Sequence, residues 1–393
     1  MSSRANATVD HPVMVAMKPH RPTRWYRLNL WLHRWCSLVA TLPFLILCLT
    51  GTVLIFHEEI DAALGVVPAS VDDARPRMPL QASIDGILAA NPGERVASIG
   101  IDPKEHPGLL LLVTVPTQAH KFEDMKLRFT ELATALPTEH AFDPTSTLTG
   151  FLLELHAHWF LGMPGELIGA LIALLVLISL LSGVVVYWPY VKKVAIGLLR
   201  RGRGPRLRQL DLHNLIGVVV LGWALAVSLT GFLLGFGTVA TSAWSYTAFA
   251  ELRGQHDDAA VDARRPPVGA DTAMAAVQRQ LPPDWHIASL IFPDTEFSTR
   301  HHYTALAVGP SGLEERLYRV GLVDAGSGEV ATLTEMPGYM KAIVLSQPLH
   351  FGDYGGLPLK ILWTLCTWLT LFITANGAWL WWDRRRRRKA GAR

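Results

Sequence analysis

Four stretches, residues 30–56, 167–188, 215–236 and 359–382, run apolar for about 20 residues or more, the length a helix needs to cross a hydrocarbon core. Nothing else in the chain constrains its folding as strongly. The first stretch follows a polar, basic lead of 29 residues and is too long for the apolar core of a signal peptide, so it reads as an uncleaved first span. Half of the 393 residues are hydrophobic and only 18% charged, well below the charged share of a soluble domain. That balance excludes disordered, collagen-like and disulfide-scaffold classes. The cysteines, Cys36, Cys48 and Cys366, lie in the apolar runs and form neither a CxxC nor a CxxCH motif.

Charge gives the spans a direction. Residues 1–34 hold six Lys/Arg, residues 189–210 seven and residues 383–393 seven, with Asp10 and Asp383 their only acidic side chains. The long connections are the reverse: 57–155 carry seven basic and fifteen acidic residues, 238–358 eight and fourteen. The positive-inside rule places both termini and the middle loop in the cytoplasm and both long connections outside. Trp25, Tyr26, Trp188, Tyr190, Trp381 and Trp382 sit at span ends, where amphipathic rings favour the interface. The basic run Arg384–Arg388 beside a span reads as a topology anchor touching anionic lipid, not a nucleic-acid site.

The chain is also internally repetitive. An offset of 180 aligns Leu32-His33 with Leu212-His213 and Thr50-Gly51 with Thr230-Gly231. An offset of 194 aligns Leu155-His156 with Leu349-His350, Gly162 with Gly356, Pro164 with Pro358, Gly183 with Gly377 and Trp188 with Trp382. This predicts a mainly α integral membrane protein: four transmembrane helices from a tandem duplication, with two extracytoplasmic α+β modules. Each module has a short helix (80–90, 271–280) followed by strand-like runs such as VASIGID, GLLLLVTV, HIASLIF and YTALAVG; AGSGEV reads as a hairpin turn.

The registered histidines fall at two depths, His33 and His213 near the inner face, His156 and His350 near the outer. From His33 to Thr50 a helix rises about 25 Å. From His156 to Trp188 the rise would be about 48 Å, too long for one upright span, so Pro164 and Pro358 are expected to divide a short His-bearing helix from the span. A single interfacial histidine is tolerated at a helix end; four in register point to function. Neutral imidazole is a common axial ligand for haem iron, and two facing histidines in a bundle can hold one haem. Gly51, Gly183, Gly231 and Gly377 would admit a flat macrocycle or allow close helix packing. Arg34 could pair with a haem propionate or reflect positive-inside placement. His57 and His158 have Gly237 and Gly352 as counterparts and rank below the registered four. His286 and His301-His302 could bind metal, but a solvated strand edge accounts for them better, because no Cys or carboxylate spacing completes a site. Phe351, Asp353, Tyr354 and Trp159 would line an outer exit.

LNLWLHRWCSL with its later LTG, LHAHWFLGMPG, DLHNLIG with SLTG, PLHFGDYGGLP, the closing WLWW and the outer VDAGSGEV resemble the PepSY-associated transmembrane family, which includes iron-regulated inner-membrane proteins and ferrisiderophore reductases of bacteria. The resemblance implies two haem b groups with His33, His213, His156 and His350 as axial ligands, and electron transfer outward to a ferric siderophore. The excess of acidic residues outside favours a hydroxamate complex over a polyanionic one. Longer relatives carry a flavin-binding reductase domain after the last span; the donor here, cytoplasmic or quinol, is left open. The implied organisation is a basic N-terminus (1–29), a first span (30–56), PepSY-like module 1 (57–155), an outer helix with the second span (156–188), a basic loop (189–210), a third span (211–237), PepSY-like module 2 (238–349), an outer segment with the fourth span (350–382) and a basic tail (383–393), in the bacterial inner membrane. Two other functions compete: a non-redox PepSY protein that binds a peptide or restrains a partner, and a quinol-linked cytochrome b. No G-x-G-x-x-G fingerprint suggests bound nicotinamide.

Overall fold

The computed structural model describes residues 23–390 except 70, 72–73, 103–105, 123, 192–198, 201–203, 249, 251–260, 311 and the side chains of 139–140. Most of the basic N-terminus and part of the basic 189–210 loop therefore lie outside the described residues. In chain order the helices are α1 (Arg24–Leu54), α2 (His57–Ala63), α3 (Leu80–Ala90), α4 (Leu148–Leu153), α5 (Met163–Val191), α6 (Pro205–Leu234), α7 (Gly237–Ala248), α8 (Ala270–Gln278), α9 (Gly338–Phe351) and α10 (Gly356–Ala390). The strands are β1 (Glu94–Gly100), β2 (Leu109–Pro116), β3 (Lys126–Glu131), β4 (Pro137–Phe142), β5 (His286–Ile291), β6 (His302–Val308), β7 (Arg319–Asp324) and β8 (Val330–Glu335).

Among the described residues α1, α5, α6 and α10 lie in the four helical stretches long and apolar enough to cross a membrane. Each packs on two others in the closed order α1, α5, α6, α10. Their starts follow from local chemistry. The Thr23 hydroxyl accepts from the Tyr26 N–H at the head of α1. Pro205 opens α6, where its missing N–H costs nothing.

Pro164 and Pro358 do the same in the first turns of α5 and α10, which corrects the expectation that they divide two helices. The divisions are made by left-handed residues instead: Trp159, Phe160 and Gly162 in the first half, with φ of 52°, 57° and 59°, and Gly352 and Gly356 in the second, with φ of 72° and 59°. His156 stands just before the first break in a π-helical turn, Glu154–His158. His350 stands at the end of α9.

The two long connections do not form separate modules. They merge into one antiparallel sheet in the order β4-β3-β2-β1-β5-β6-β7-β8, joined where β1 meets β5. At the join Ile99 stands opposite Leu290, flanked by Ser98 opposite Ile291 and Gly100 opposite Ser289. Ala97-Ser98-Ile99 and Ala288-Ser289-Leu290 share an offset of 191, so Ile99 pairs with its own counterpart and a local two-fold passes between them. Irregularities sit at matching places, between Val96 and Ser98 in β1 and between Ile287 and Ser289 in β5.

The α3 and α8 helices cover the join and share one apolar core with the sheet, including Ile84, Leu88, Leu110, Leu290, Ala273 and Val277. They cap each other. The Asp271 carboxylate accepts from the Leu80 and Gln81 N–H groups, both at 2.9 Å, and Gln81 Oε1 accepts from the Ala270 N–H at 3.3 Å. Arg95, 1% exposed, donates to the carbonyls of Ala119, Pro293 and Asp294 and so ties the halves together. Asp324 turns the β7–β8 hairpin by accepting from the Gly326 and Ser327 N–H groups.

Candidate functional site

The four registered histidines meet in two pairs. The ring centres of His33 and His213 are 6.4 Å apart at an interplanar angle of 76°. Those of His156 and His350 are also 6.4 Å apart, at 65°. His156 contacts Thr50 and Gly51 near the end of α1 that leads toward the sheet, and His350 contacts Thr230 and Gly231 at the corresponding end of α6, whereas His33 and His213 lie nearer the starts of those two helices. His57 and His158 join neither pair. His57 is exposed at the first residue of α2. Both ring nitrogens of His158 face carboxylates, Nδ1 at 3.0 Å from Glu154 and Nε2 at 3.3 Å from Glu166.

Each ring is seated on a helix by one glycine. A Cβ on Gly183 would stand 3.0 Å from the His33 ring, on Gly377 3.3 Å from His213, on Gly51 3.2 Å from His156 and on Gly231 2.9 Å from His350. The registered glycines thus lie against imidazoles; their closeness was expected to serve a macrocycle or helix packing. The reason is geometric: a bare Cα lets the ring approach the carbonyl four residues earlier. His33 Nδ1 donates to the Ser179 carbonyl at 2.8 Å and His350 Nδ1 to that of Val227 at 3.1 Å. His156 faces the Leu47 carbonyl and His213 that of Ile373, although Nδ1 of His213 closes no hydrogen bond. A carbonyl only accepts, so a ring donating to it carries its proton on Nδ1 and presents Nε2 as a lone pair.

The remaining expected residues divide. Arg34 lies beside His33 with its guanidinium 5.7 Å from the Trp35 ring centre and a buried Nε that has no hydrogen-bond partner. Phe351 and Tyr354 are exposed near His350, with the Phe351 ring 6.0 Å from it, while Asp353 is held by Arg316 at 3.4 Å. Trp159 packs its indole toward Gly169. His301 and His302 are not on a solvated edge: both are buried, and His302, 1% exposed on the inner strand β6, bonds Thr299 at 2.6 Å. His286 is exposed at the start of β5. Among the described residues no three His, Cys, Asp or Glu side chains gather as a metal site.

Sequence reasoning missed Lys360. It is 6% exposed near the start of α10 and bonds Glu58 at 2.9 Å and Glu59 at 2.8 Å, tying the last span to α2. Burial disfavours the Glu59 charge, yet Lys360 holds its carboxyl below the usual carboxylate range. The signal was present, since Lys360 is the single Lys or Arg of the apolar run 359–382.

Four apolar helices bearing an extramembrane sheet define a multi-pass membrane protein. Residues 30–384 match the PepSY-associated TM region family, and the chain belongs to it. An uncharacterised protein of Pseudomonas aeruginosa is 38% identical over 93 residues, which are 23% of this chain and 22% of that protein. The match thus spans about a fifth of that relative's length.

Proposed function

We propose that this protein holds two b-type haems between its four helices and carries electrons across the bacterial inner membrane to a ferric siderophore at the sheet-bearing, periplasmic face. The observation that carries this reading is the two histidine pairs, each with ring centres 6.4 Å apart. With a metal–nitrogen bond of about 2 Å and a ring centre about 1 Å behind the nitrogen, two imidazoles on opposite sides of one ion lie about 6 Å apart. Each ring can turn about its own metal–nitrogen axis, so the angles of 76° and 65° are compatible with shared ligation. Two side chains are too few for a metal held by protein ligands alone; they would suit haem, which brings its own further ligands to the iron.

The surroundings fit such a group. His33 and His213 would hold the cytoplasmic-side haem, His156 and His350 the periplasmic-side one, and the orphaned Nε of Arg34 would take a propionate. Bound haem would supply one-electron chemistry at iron. The protein's own share is to hold and orient the imidazoles through the glycine seats and helix carbonyls, and to exclude water by packing the spans together. Reduction of ferric to ferrous iron weakens binding by hard oxygen ligands, which releases the metal. The sheet-bearing segments carry about twice as many acidic as basic residues, which favours neutral or cationic hydroxamate complexes. The matched offsets of histidine, glycine and carbonyl support a tandem duplication, with the joined halves of the sheet as its two PepSY-like modules.

A quinol-linked cytochrome is the second reading. A cleft of about 400 Å³, lined by Thr23, Trp25, Tyr26, Val184, Val185, Trp188 and Pro189, opens beside the cytoplasmic ends of α1 and α5. An apolar, aromatic cleft there suits a lipid-borne ring as electron donor.

The test is the dithionite-reduced minus oxidised spectrum of protein purified from haem-replete cells, followed by mixing with ferric complexes and a ferrous trap. Two b-type haems per chain and trapped ferrous iron are expected. A colourless protein overturns both redox readings, and intact haems that reduce no ferric complex shift the choice to the quinol-linked cytochrome.

A further inference from the structure

The two histidine pairs are seated alike but not held alike. Thr50 Oγ1 donates its proton to a carbonyl of its own helix, Ile46 at 2.9 Å or Leu47 at 3.2 Å. A hydroxyl has one proton to give, so toward His156 Nδ1, 2.8 Å away, it accepts. Thr230 repeats the arrangement. It donates to Ala226 at 2.8 Å or Val227 at 3.1 Å and accepts from His350 Nδ1 at 3.2 Å. His350 Nδ1 therefore meets two acceptors, a threonine hydroxyl and a helix carbonyl, while His156 Nδ1 meets the threonine hydroxyl beside the Leu47 carbonyl.

The corresponding positions at the other pair, each just before its seating glycine, are Ser182 and Asn376. Ser182 Oγ turns back to the Ile178 and Ser179 carbonyls at 2.6 and 3.1 Å, and Asn376 Nδ2 donates to the Gln209 carbonyl at 2.9 Å. Neither serves a histidine. There His33 Nδ1 has the Ser179 carbonyl at 2.8 Å and the hydroxyl of the same serine at 3.3 Å, so the difference lies at His213, whose Nδ1 is buried without a partner.

We propose that Thr50 and Thr230 are positioning residues that fix His156 and His350 with the proton on Nδ1 and the lone pair on Nε2, making the sheet-side pair the more firmly organised of two cofactor sites. The inference rests on the haem reading above. Partners behind a metal-bound histidine fix its tautomer and orientation and raise its basicity, and losing them costs about 10–100-fold in metal affinity. A more basic imidazole also favours ferric over ferrous iron, so these threonines lower the potential of the sheet-side haem relative to a site without them.

The experiment compares the wild-type protein with Thr50→Val/Thr230→Val, which keeps the shape and removes the acceptors, and with Thr50→Ser/Thr230→Ser, which restores them. Haem content is titrated against apomyoglobin as competing acceptor, and the midpoint potential of each haem is recorded. The sheet-side signal is assigned from His33→Ala. In the wild type the haem at His33 and His213 should leave first. In the valine variant sheet-side retention should fall about tenfold or more and its potential should rise, with the other haem unmoved; the serine variant should recover both. Two haems in the wild type with sheet-side retention and potential unmoved by valine overturns this inference alone. A serine variant that behaves as the valine one also overturns it, because packing would then be the cause. Absence of haem from the wild type overturns the functional reading and this inference with it.

Discussion

His33 lies so close to Gly183 that a methyl group on the glycine would stand 3.0 Å from both Cε1 and Nδ1 of the ring. Gly183→Ala therefore pushes the imidazole off the Ser179 carbonyl while adding about 1 kcal/mol of helix propensity. The expected outcome is a folded protein that retains the haem at His33 and His213 about tenfold less well. Gly217→Ala and Gly222→Ala, where nothing lies within 4 Å of the new Cβ, should leave haem content unchanged. Equal loss in all three variants would show that the loss does not come from the ring seat at Gly183.

Single-histidine variants sort the ligands. His33→Ala and His213→Ala should each remove the haem on their side and spare the other; His156→Ala and His350→Ala should do the reverse. His57→Ala and His158→Ala should keep both haems, since His57 is exposed and His158 has carboxylates at both nitrogens. Loss of a haem in His158→Ala but not in His156→Ala would reassign the sheet-side ligand.

The spans and the histidine pairs are legible in the sequence for different reasons. An apolar run of bilayer length has few other places to go, and a repeated offset brings His33 and His213 to equivalent depths before any contact is known. The sheet join is not legible. β1 and β5 each read as strands, but their pairing spans about 190 residues of chain, and nothing local specifies it. The same holds for His302, whose polar character suggests an edge and whose place between β5 and β7 is decided by neighbours far away in sequence. The seating glycines could be picked out, but which ring each one meets depended on how the four helices pack.

Lys360 offers a test of how the last span is fastened. Its ammonium is buried, while Glu58 and Glu59 remain about half exposed, so the loss on Lys360→Met should be moderate, about 2 kcal/mol. Thermal unfolding in detergent should show the midpoint fall. Adding Glu58→Gln and Glu59→Gln should recover part of it by removing the uncompensated charges. A triple variant less stable than Lys360→Met would show that the glutamates act through partners other than the lysine.

The lysine and arginine distribution predicts the orientation. Reporters fused after Arg393 or within residues 195–205 should be active only in the cytoplasm, and those near Asn91 or Gly269 only outside. An external carboxyl terminus would exchange the two faces and place the His33 and His213 pair next to the periplasm.

The substrate preference can be read from pre-reduced protein mixed with ferric complexes of different charge. The segments that build the sheet face carry twice as many acidic as basic side chains, and that field should slow the approach of a polyanion while leaving a neutral or cationic complex unhindered. At low salt, haem reoxidation with ferrous trapping should be faster with a ferric hydroxamate than with an anionic ferric catecholate. Raising the salt should narrow the gap, because charges separated by more than about 10 Å are screened at 0.1 M. A catecholate that reacts faster at low salt would defeat the charge argument. A preference for the hydroxamate that persists unchanged at high salt would move its origin from the long-range field to contacts beside His350, where Phe351 and Tyr354 are exposed.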